Sequence, residues 1–214
     1  MHIVLVTPEF VTKEYFSGGL ANYIFRVSKS LISYGHKVTV IIPANGIDEI
    51  SEIEGIQLIS LGEGTLKGWL DRLTRYSMLD ASKSIDFSLR VYQNIKTLKD
   101  VDIIQIPNYK ACGLFTSLFI KKPFLLRISS YRPLWNFMSG ENTNKTFEAK
   151  LIEWLEGLQI KKAKNIIAPS ILLKTVIEKQ ISNTSIEVMR TPFFNEVNEL
   201  DNSIHESILK DKVY

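Results

Sequence analysis

Short apolar runs punctuate the chain. Ile3 to Val6 is closed by Pro8, Val38 to Ile42 by Pro43, and Ile103 to Ile106 by Pro107. Ile56 to Leu61, Phe124 to Ile128, Ile166 to Ala168 and Ile186 to Met189 complete the set. Runs this short, apolar on both faces and stopped by turn residues, predict buried parallel strands. Between them the period changes. Leu20, Ile24, Val27 and Leu31 return at helical steps and form one stripe, ended by Gly35-His36. Ile85, Leu89, Tyr92 and Ile95 make a second stripe, and Leu151, Trp154, Leu155, Leu158 and Ile160 a third. Lys161, Lys162 and Lys164 suit the negative C-terminal end of that third helix. Ala111 to Ile120 reads as a helix, as does Ile171 to Ile181 behind Ser170, a good N-cap. Alternating strands and helices predict the α/β class: a doubly wound, mostly parallel, Rossmann-like sheet with right-handed crossovers. One domain is expected over 1–195. The tail, 196–214, is polar (Glu196, Glu199, Asp201, Asn202, Ser203, Glu206) and reads as a linker running into the start of another domain at Lys212-Val213-Tyr214.

Composition narrows the class. The 214 residues are 45% hydrophobic and 23% charged, an ordinary globular balance that argues against disorder or a coiled coil. Cys112 is the single cysteine, so no intrachain disulfide can form. The net charge of +3 is too mild to point to nucleic acid. The N-terminus lacks the basic region and long apolar run of a signal peptide, and no stretch approaches the roughly 20 apolar residues of a spanning helix. The expectation is a cytoplasmic protein, with peripheral contact at the inner membrane surface left open.

Ligands of open α/β sheets bind beyond the carboxyl ends of the strands. The loops to inspect are Pro8 to Gly19, Asn45 to Ile47, Pro107 to Ala111, Ser129 to Glu141 and Pro169-Ser170. Ser17-Gly18-Gly19 stands directly before the first helix. Two glycines let a ligand approach the backbone, and the helix start offers free N–H groups to an anion such as a diphosphate. A plain glycine turn into a helix is the equal alternative. This is not the dinucleotide G-x-G-x-x-G, which follows the strand at once and is answered by an acid after the second strand; here that strand ends Ile42-Pro43. A Walker A motif is also missing.

The ordered set resembles a known family. Gly18-Gly19-Leu20-Ala21-Asn22-Tyr23, then Leu31, then Gly35-His36-Lys37-Val38-Thr39-Val40 is similar to the opening of family 4 glycosyltransferases and their relatives, the glycogen and starch synthases. Val101-Asp102-Ile103-Ile104, Ala163-Lys164-Asn165-Ile166-Ile167-Ala168-Pro169-Ser170 and Glu187-Val188-Met189-Arg190-Thr191-Pro192-Phe193 resemble later segments of that family in the same order.

The resemblance implies the N-terminal, acceptor-side half of a GT-B fold, whose second half holds the nucleotide-sugar and a glutamate pair. It implies a hexosyl transfer with retention, assisted by the departing diphosphate and needing neither metal nor cofactor, since the nucleotide-sugar is a substrate. Partners would be that donor, a glycan, lipid-linked or small-molecule acceptor, and the protein's own C-terminal domain. These 214 residues alone are expected not to transfer sugar and to contain no catalytic residue. Gly18 and Gly19 would present N–H groups to the donor phosphates. The chain departs from the pattern in three places. Ile128-Ser129-Ser130-Tyr131-Arg132 stands where many relatives carry a histidine, so none is carried over. Ser17 replaces the lysine of glycogen synthases, and Lys164 replaces an acid.

The acceptor-binding candidates are Glu9, Tyr15, Asn108, Tyr109, Ser130, Tyr131, Arg132 and Ser170. Aromatic rings stack on sugar faces, and Asn or Arg can satisfy hydroxyls or phosphates. Against each stands a plainer role: a solvated carboxylate for Glu9, loop packing for Tyr15 and Phe16, helix capping for Ser170, and loop pinning for Trp135. His36 reads as structural, and His2 and His205 show no partner spacing. No His/Cys cluster suggests a metal, and Cys112 reads as a small buried hydrophobe. Lys121, Lys122, Lys161 and Lys162 read as solvated faces; converging with Lys145 and Lys150, they would hold anionic lipid head groups. A nucleotide-dependent oxidoreductase or epimerase, which would bind nicotinamide, and a non-catalytic Rossmann-like binding module are the competing functions.

Overall fold

The computed structural model describes residues 1–11, 18–44, 46–138 and 146–191, the side chains of 135–137 excepted. The apolar runs become strands, and one further strand, β3, joins them: β1 (His2–Val6), β2 (Lys37–Pro43), β3 (Glu49–Ile53), β4 (Ile56–Leu61), β5 (Ile103–Pro107), β6 (Phe124–Arg127), β7 (Ile166–Ala168) and β8 (Glu187–Val188). Among the described residues they form one 8-stranded sheet in the order β3-β4-β2-β1-β5-β6-β7-β8. Every neighbouring pair is parallel except β3 with β4. The doubly wound, mostly parallel sheet is therefore present. Its connections run one way from β1 to β2 and the other way from β5 to β6, so the switch point lies between β1 and β5.

The helices are α1 (Gly19–Ser33), α2 (Thr65–Leu73), α3 (Leu79–Thr97), α4 (Leu114–Phe119), α5 (Arg132–Met138), α6 (Phe147–Lys162) and α7 (Ile171–Gln180), with a 3-10 turn at Tyr109–Ala111. Alternate residues of the central strands feed two separate cores, as the two-residue period of a strand requires. Ile3, Leu5, Val38, Val40, Ile56 and Leu58 pack with Ile24 of α1. Val4, Val6, Ile41, Ile104, Ile106 and Leu126 pack on the opposite face, with Val91 and Ile95 of α3, Ile160 of α6 and Ile177 of α7. Among the described helices, α1 is the one that packs on the first face, with Phe10 beside it.

Several local expectations change. The sequence offered no strand at Glu49–Ile53, because an edge strand needs no apolar face and Ile50 stays exposed. Its link to β4 is Glu54-Gly55, both at positive φ (52° and 80°), the backbone of a two-residue hairpin turn. Arg132–Met138, expected within a loop, is helical, and α2 was not foreseen. In α3 the buried side is Ser84, Phe87, Ser88, Val91 and Ile95 rather than Ile85, Leu89 and Tyr92, because small hydroxyl residues allow close helix contact. In α6 Trp154 is exposed, whereas Glu156 and Gln159 are buried. Ala111 to Ile120 breaks at Cys112-Gly113 into the 3-10 turn and α4. His2 does have a partner: its Nε2 lies 2.8 Å from Thr39 Oγ1. Its ring pKa is lowered by burial and by Lys37. The expected boundary near residue 195, the tail and His205 lie outside the described residues, as do Tyr15, Phe16, Ser17 and Lys145. No helix among the described residues is long and apolar enough to cross a membrane.

Candidate functional site

The switch point sets the position of the glycine turn. β1 ends at Val6 and α1 opens at Gly19; one turn in, the Tyr23 hydroxyl lies 3.4 Å from Gln105 Nε2 of β5. Gly18 and Gly19 are both exposed. Gly18 has φ +93°, a conformation that glycine alone adopts without strain. Among the described residues no side chain caps α1 and no acid occupies its first turn, so its leading N–H groups keep their capacity for an anion. Asn22 fixes the turn from inside, its backbone N and Nδ2 donating to Gly18 O at 3.2 and 3.1 Å. A Cβ built on Gly19 meets nothing within 4 Å, whereas one on Gly18 falls 2.6 Å from Glu9 Oε2. Among the described residues nothing crowds Gly19, and the Glu9 carboxylate is the neighbour of Gly18. Thr7 holds that carboxylate's backbone: its Oγ1 donates to Glu9 O at 2.6 Å and accepts from Glu9 N at 3.2 Å.

The next wall comes from the loops after β5 and β6. Asn108 is fully buried. Its Nδ2 donates to Ser130 O at 2.7 Å, and its Oδ1 accepts from Ser129 N at 2.9 Å. Both ends of its amide are thereby engaged in joining the two loops. Tyr131 is likewise buried, and its hydroxyl donates to Gln180 Oε1 at 2.6 Å. Burial and the nearby Glu153 and Glu156 raise its pKa. Tyr109 is half-buried, and its pKa is raised by burial and by Glu9 and opposed by Arg132. Those influences put Glu9, Tyr109 and Arg132 within one electrostatic neighbourhood. Ser170 caps α7, its Oγ accepting from Leu173 N at 3.3 Å.

Three features escaped the sequence. Glu156 of α6 is 3% exposed, and its Oε1 accepts from Lys110 N at 2.8 Å, holding the turn behind Tyr109. Burial pushes its carboxyl up to about 7, against the opposing pull of that hydrogen bond and of Arg132. Lys110 itself has φ 52°. Arg127, buried at the end of β6, stacks 3.8 Å over the Tyr23 ring of α1 and donates to Thr191 Oγ1 at 2.8 Å. Burial lowers its pKa. Finally, two cavities open along this edge. One of about 220 Å³ is lined by Pro8, Asp80, Lys83, Ser84 and Lys110. The other, about 390 Å³, pairs Ser130, Tyr131 and Ser170 with Leu134, Met138 and Leu173. A charged residue inside a helix reads as surface from sequence, so Glu156 and Lys83 gave no signal.

Cys112 is buried, its thiol donating to Pro107 O at 3.4 Å, and burial raises its pKa. Among the described residues no three His, Cys, Asp or Glu side chains gather as a metal site would require.

The fold is that of known sugar-transfer enzymes. Sucrose-phosphate synthase from Thermosynechococcus elongatus superposes with a TM-score of 0.63 at 13% identity, over 88% of this chain and 47% of its own. Trehalose-6-phosphate synthase OtsA gives 0.60 at 12% identity, over 98% and 55%. Medicago truncatula UGT71G1 complexed with UDP-glucose gives 0.53 at 13% identity, over 98% and 56%. The chain thus spans about half the length of these structures. A search of curated proteins by sequence finds no match. The model of Glycosyltransferase Family 4 matches residues 17–192, from the serine before the glycine turn to the proline after β8. With the switch-point geometry and more than half of its length in that match, the chain belongs to glycosyltransferase family 4.

Proposed function

We propose that this chain is the acceptor-side half of a retaining glycosyltransferase that moves a hexosyl group from a nucleotide-sugar. The observation that supports this reading is the exposed, uncapped Gly18–Gly19 turn at the switch point. Its N–H groups are preorganised for the charge that builds on a departing diphosphate, and fixed donors of this kind do the most for such chemistry. Glu9, Tyr109 and Arg132 would then hold the acceptor hydroxyls. Asn108 would act at one remove, keeping the two loops in register. A second lobe carrying the nucleotide-sugar completes the cleft in this proposal, in keeping with the half-length match to the solved structures.

Two measurements test it. The 214-residue chain mixed with UDP-glucose and candidate acceptors is expected to release no UDP. Pyrophosphate titrated into the labelled chain is expected to shift the amides of Gly19 to Asn22, and Gly18→Ala to weaken that response at least tenfold. Rapid UDP release by the chain alone, or pyrophosphate shifts that ignore Gly18→Ala, would overturn the proposal.

A further inference from the structure

At the amino-terminal edge of the sheet, opposite the glycine turn, lies a recess of about 410 Å³. It opens where β6 and β7 begin and is lined by Lys121, Lys122, Lys162 and Lys164, with Phe124 and Asn165 between them. No carboxylate lines it. We infer that this recess is a second anion site, for a phosphate group on a small molecule or on a lipid head group. The inference is independent of the glycosyltransferase reading.

The ordinary explanation for lysines here is compensation of helix ends, and it accounts for only part of them. Lys122 is committed in that way: its Nζ donates to Leu98 O and, at 2.9 Å, to Ile95 O, at the end of α3. The ends of α4 and α6 also point here, since Ile120 and Lys162 line the recess. Three helix ends carry about −0.5 charge each at most, or about −1.5 together. Four lysines therefore leave an excess of about +2.5. Among the described residues Lys121, Lys162 and Lys164 have no carboxylate within ion-pair distance. Lys121, Lys162 and Lys164 are exposed at the mouth, so their ammonium groups can close on a ligand at little structural cost. Asn165 is held by its Nδ2 donating to Phe124 O at 3.1 Å, which steadies the strip between the β6 and β7 entrances. A recess of this size takes a phosphorylated small molecule or one head group, whereas a flat basic patch would hold neither in place.

The test follows amide shifts of the full labelled chain at constant ionic strength, with inorganic phosphate against chloride. In parallel, vesicles of phosphatidylglycerol in phosphatidylcholine are sedimented with the protein. Phosphate is expected to shift the amides of Lys121, Lys122 and Lys162 to Asn165 saturably. The combined Lys121→Gln, Lys162→Gln and Lys164→Gln variant should weaken that response at least tenfold, with circular dichroism unchanged. Lys164→Glu alone gives an independent second variant. Saturable phosphate binding without vesicle binding identifies a soluble ligand. Lysine-dependent vesicle binding with weak phosphate shifts identifies a head group. If phosphate acts no differently from chloride at these amides and vesicle binding does not depend on the lysines, the inference fails.

Discussion

Glu156 shows how a single residue can be decisive yet silent in sequence. Its carboxyl, pushed up to about 7 by burial, ionises several pH units above the point at which an exposed glutamate does. The folded state therefore holds a proton that the unfolded state releases near pH 4.5, and stability falls as pH rises from about 4.5 to about 7, levelling off above. The loss is about 3 kcal/mol, at 1.36 kcal/mol per pH unit. Glu156→Gln keeps an acceptor for Lys110 N and removes the charge. It should flatten the urea-unfolding free energy between pH 5 and 8 and raise stability at pH 8. At Gly18 the strain is in the backbone: Gly18→Ala forces a Cβ to within 2.6 Å of Glu9 Oε2 at φ +93°. A cost of about 1–3 kcal/mol is expected in thermal unfolding. The glycine turn was legible as a turn because Gly18-Gly19 is the one adjacent glycine pair in the sequence and stands at the start of a helix. Glu156 was not, since its burial depends on α6 packing under a turn formed far away in sequence.

Elements were legible where one force dominated. The buried strands β4 and β7 match their apolar runs residue for residue, because burial on both faces leaves no other reading. Helix faces were less secure. The inward side of α3 is made partly by Ser84 and Ser88, whose hydroxyls find backbone partners: Ser84 Oγ donates to Asp80 O at 2.8 Å and Ser88 Oγ accepts from Phe115 N at 3.1 Å. α2 takes its cap from another helix, Asp86 Oδ2 and Oδ1 accepting from Gly64 N at 2.7 Å and Lys67 N at 3.0 Å, so no local signal announces its start. α7 was foreseen because Ser170 carries its own cap. Ser170→Ala should cost about 1 kcal/mol, measured by urea unfolding, and Ser170→Asp should restore it. α4 begins at Gly113, where a Cβ would stand 2.7 Å from both Ile106 Cγ2 and Gln159 Nε2. Gly113→Ala should therefore lose about 1–3 kcal/mol by forcing α4 off β5.

For the molecule as a whole, the sequence declared the class but not the strand order, which depends on which runs meet across long loops. It also missed the antiparallel β3 at the sheet edge. The order β3-β4-β2-β1-β5-β6-β7-β8 puts β1 near the middle and leaves the two exposed residues of β8 at one border. Amide exchange should accordingly be slowest in β1, β2 and β5, by several orders of magnitude over β3 and β8. The two sheet faces differ in a way that matters more. One face carries a single described helix, α1, and that same helix begins at the glycine turn. Anchoring and, in the proposed function, diphosphate recognition are therefore carried by one helix: loosening it at Ile24, a fully buried contact, would tilt its tip as well as soften its seat. Thermal tolerance and diphosphate affinity should decline together in an Ile24→Ala protein. Damage to α6 near Ile152 would cost robustness while leaving the anion grip intact.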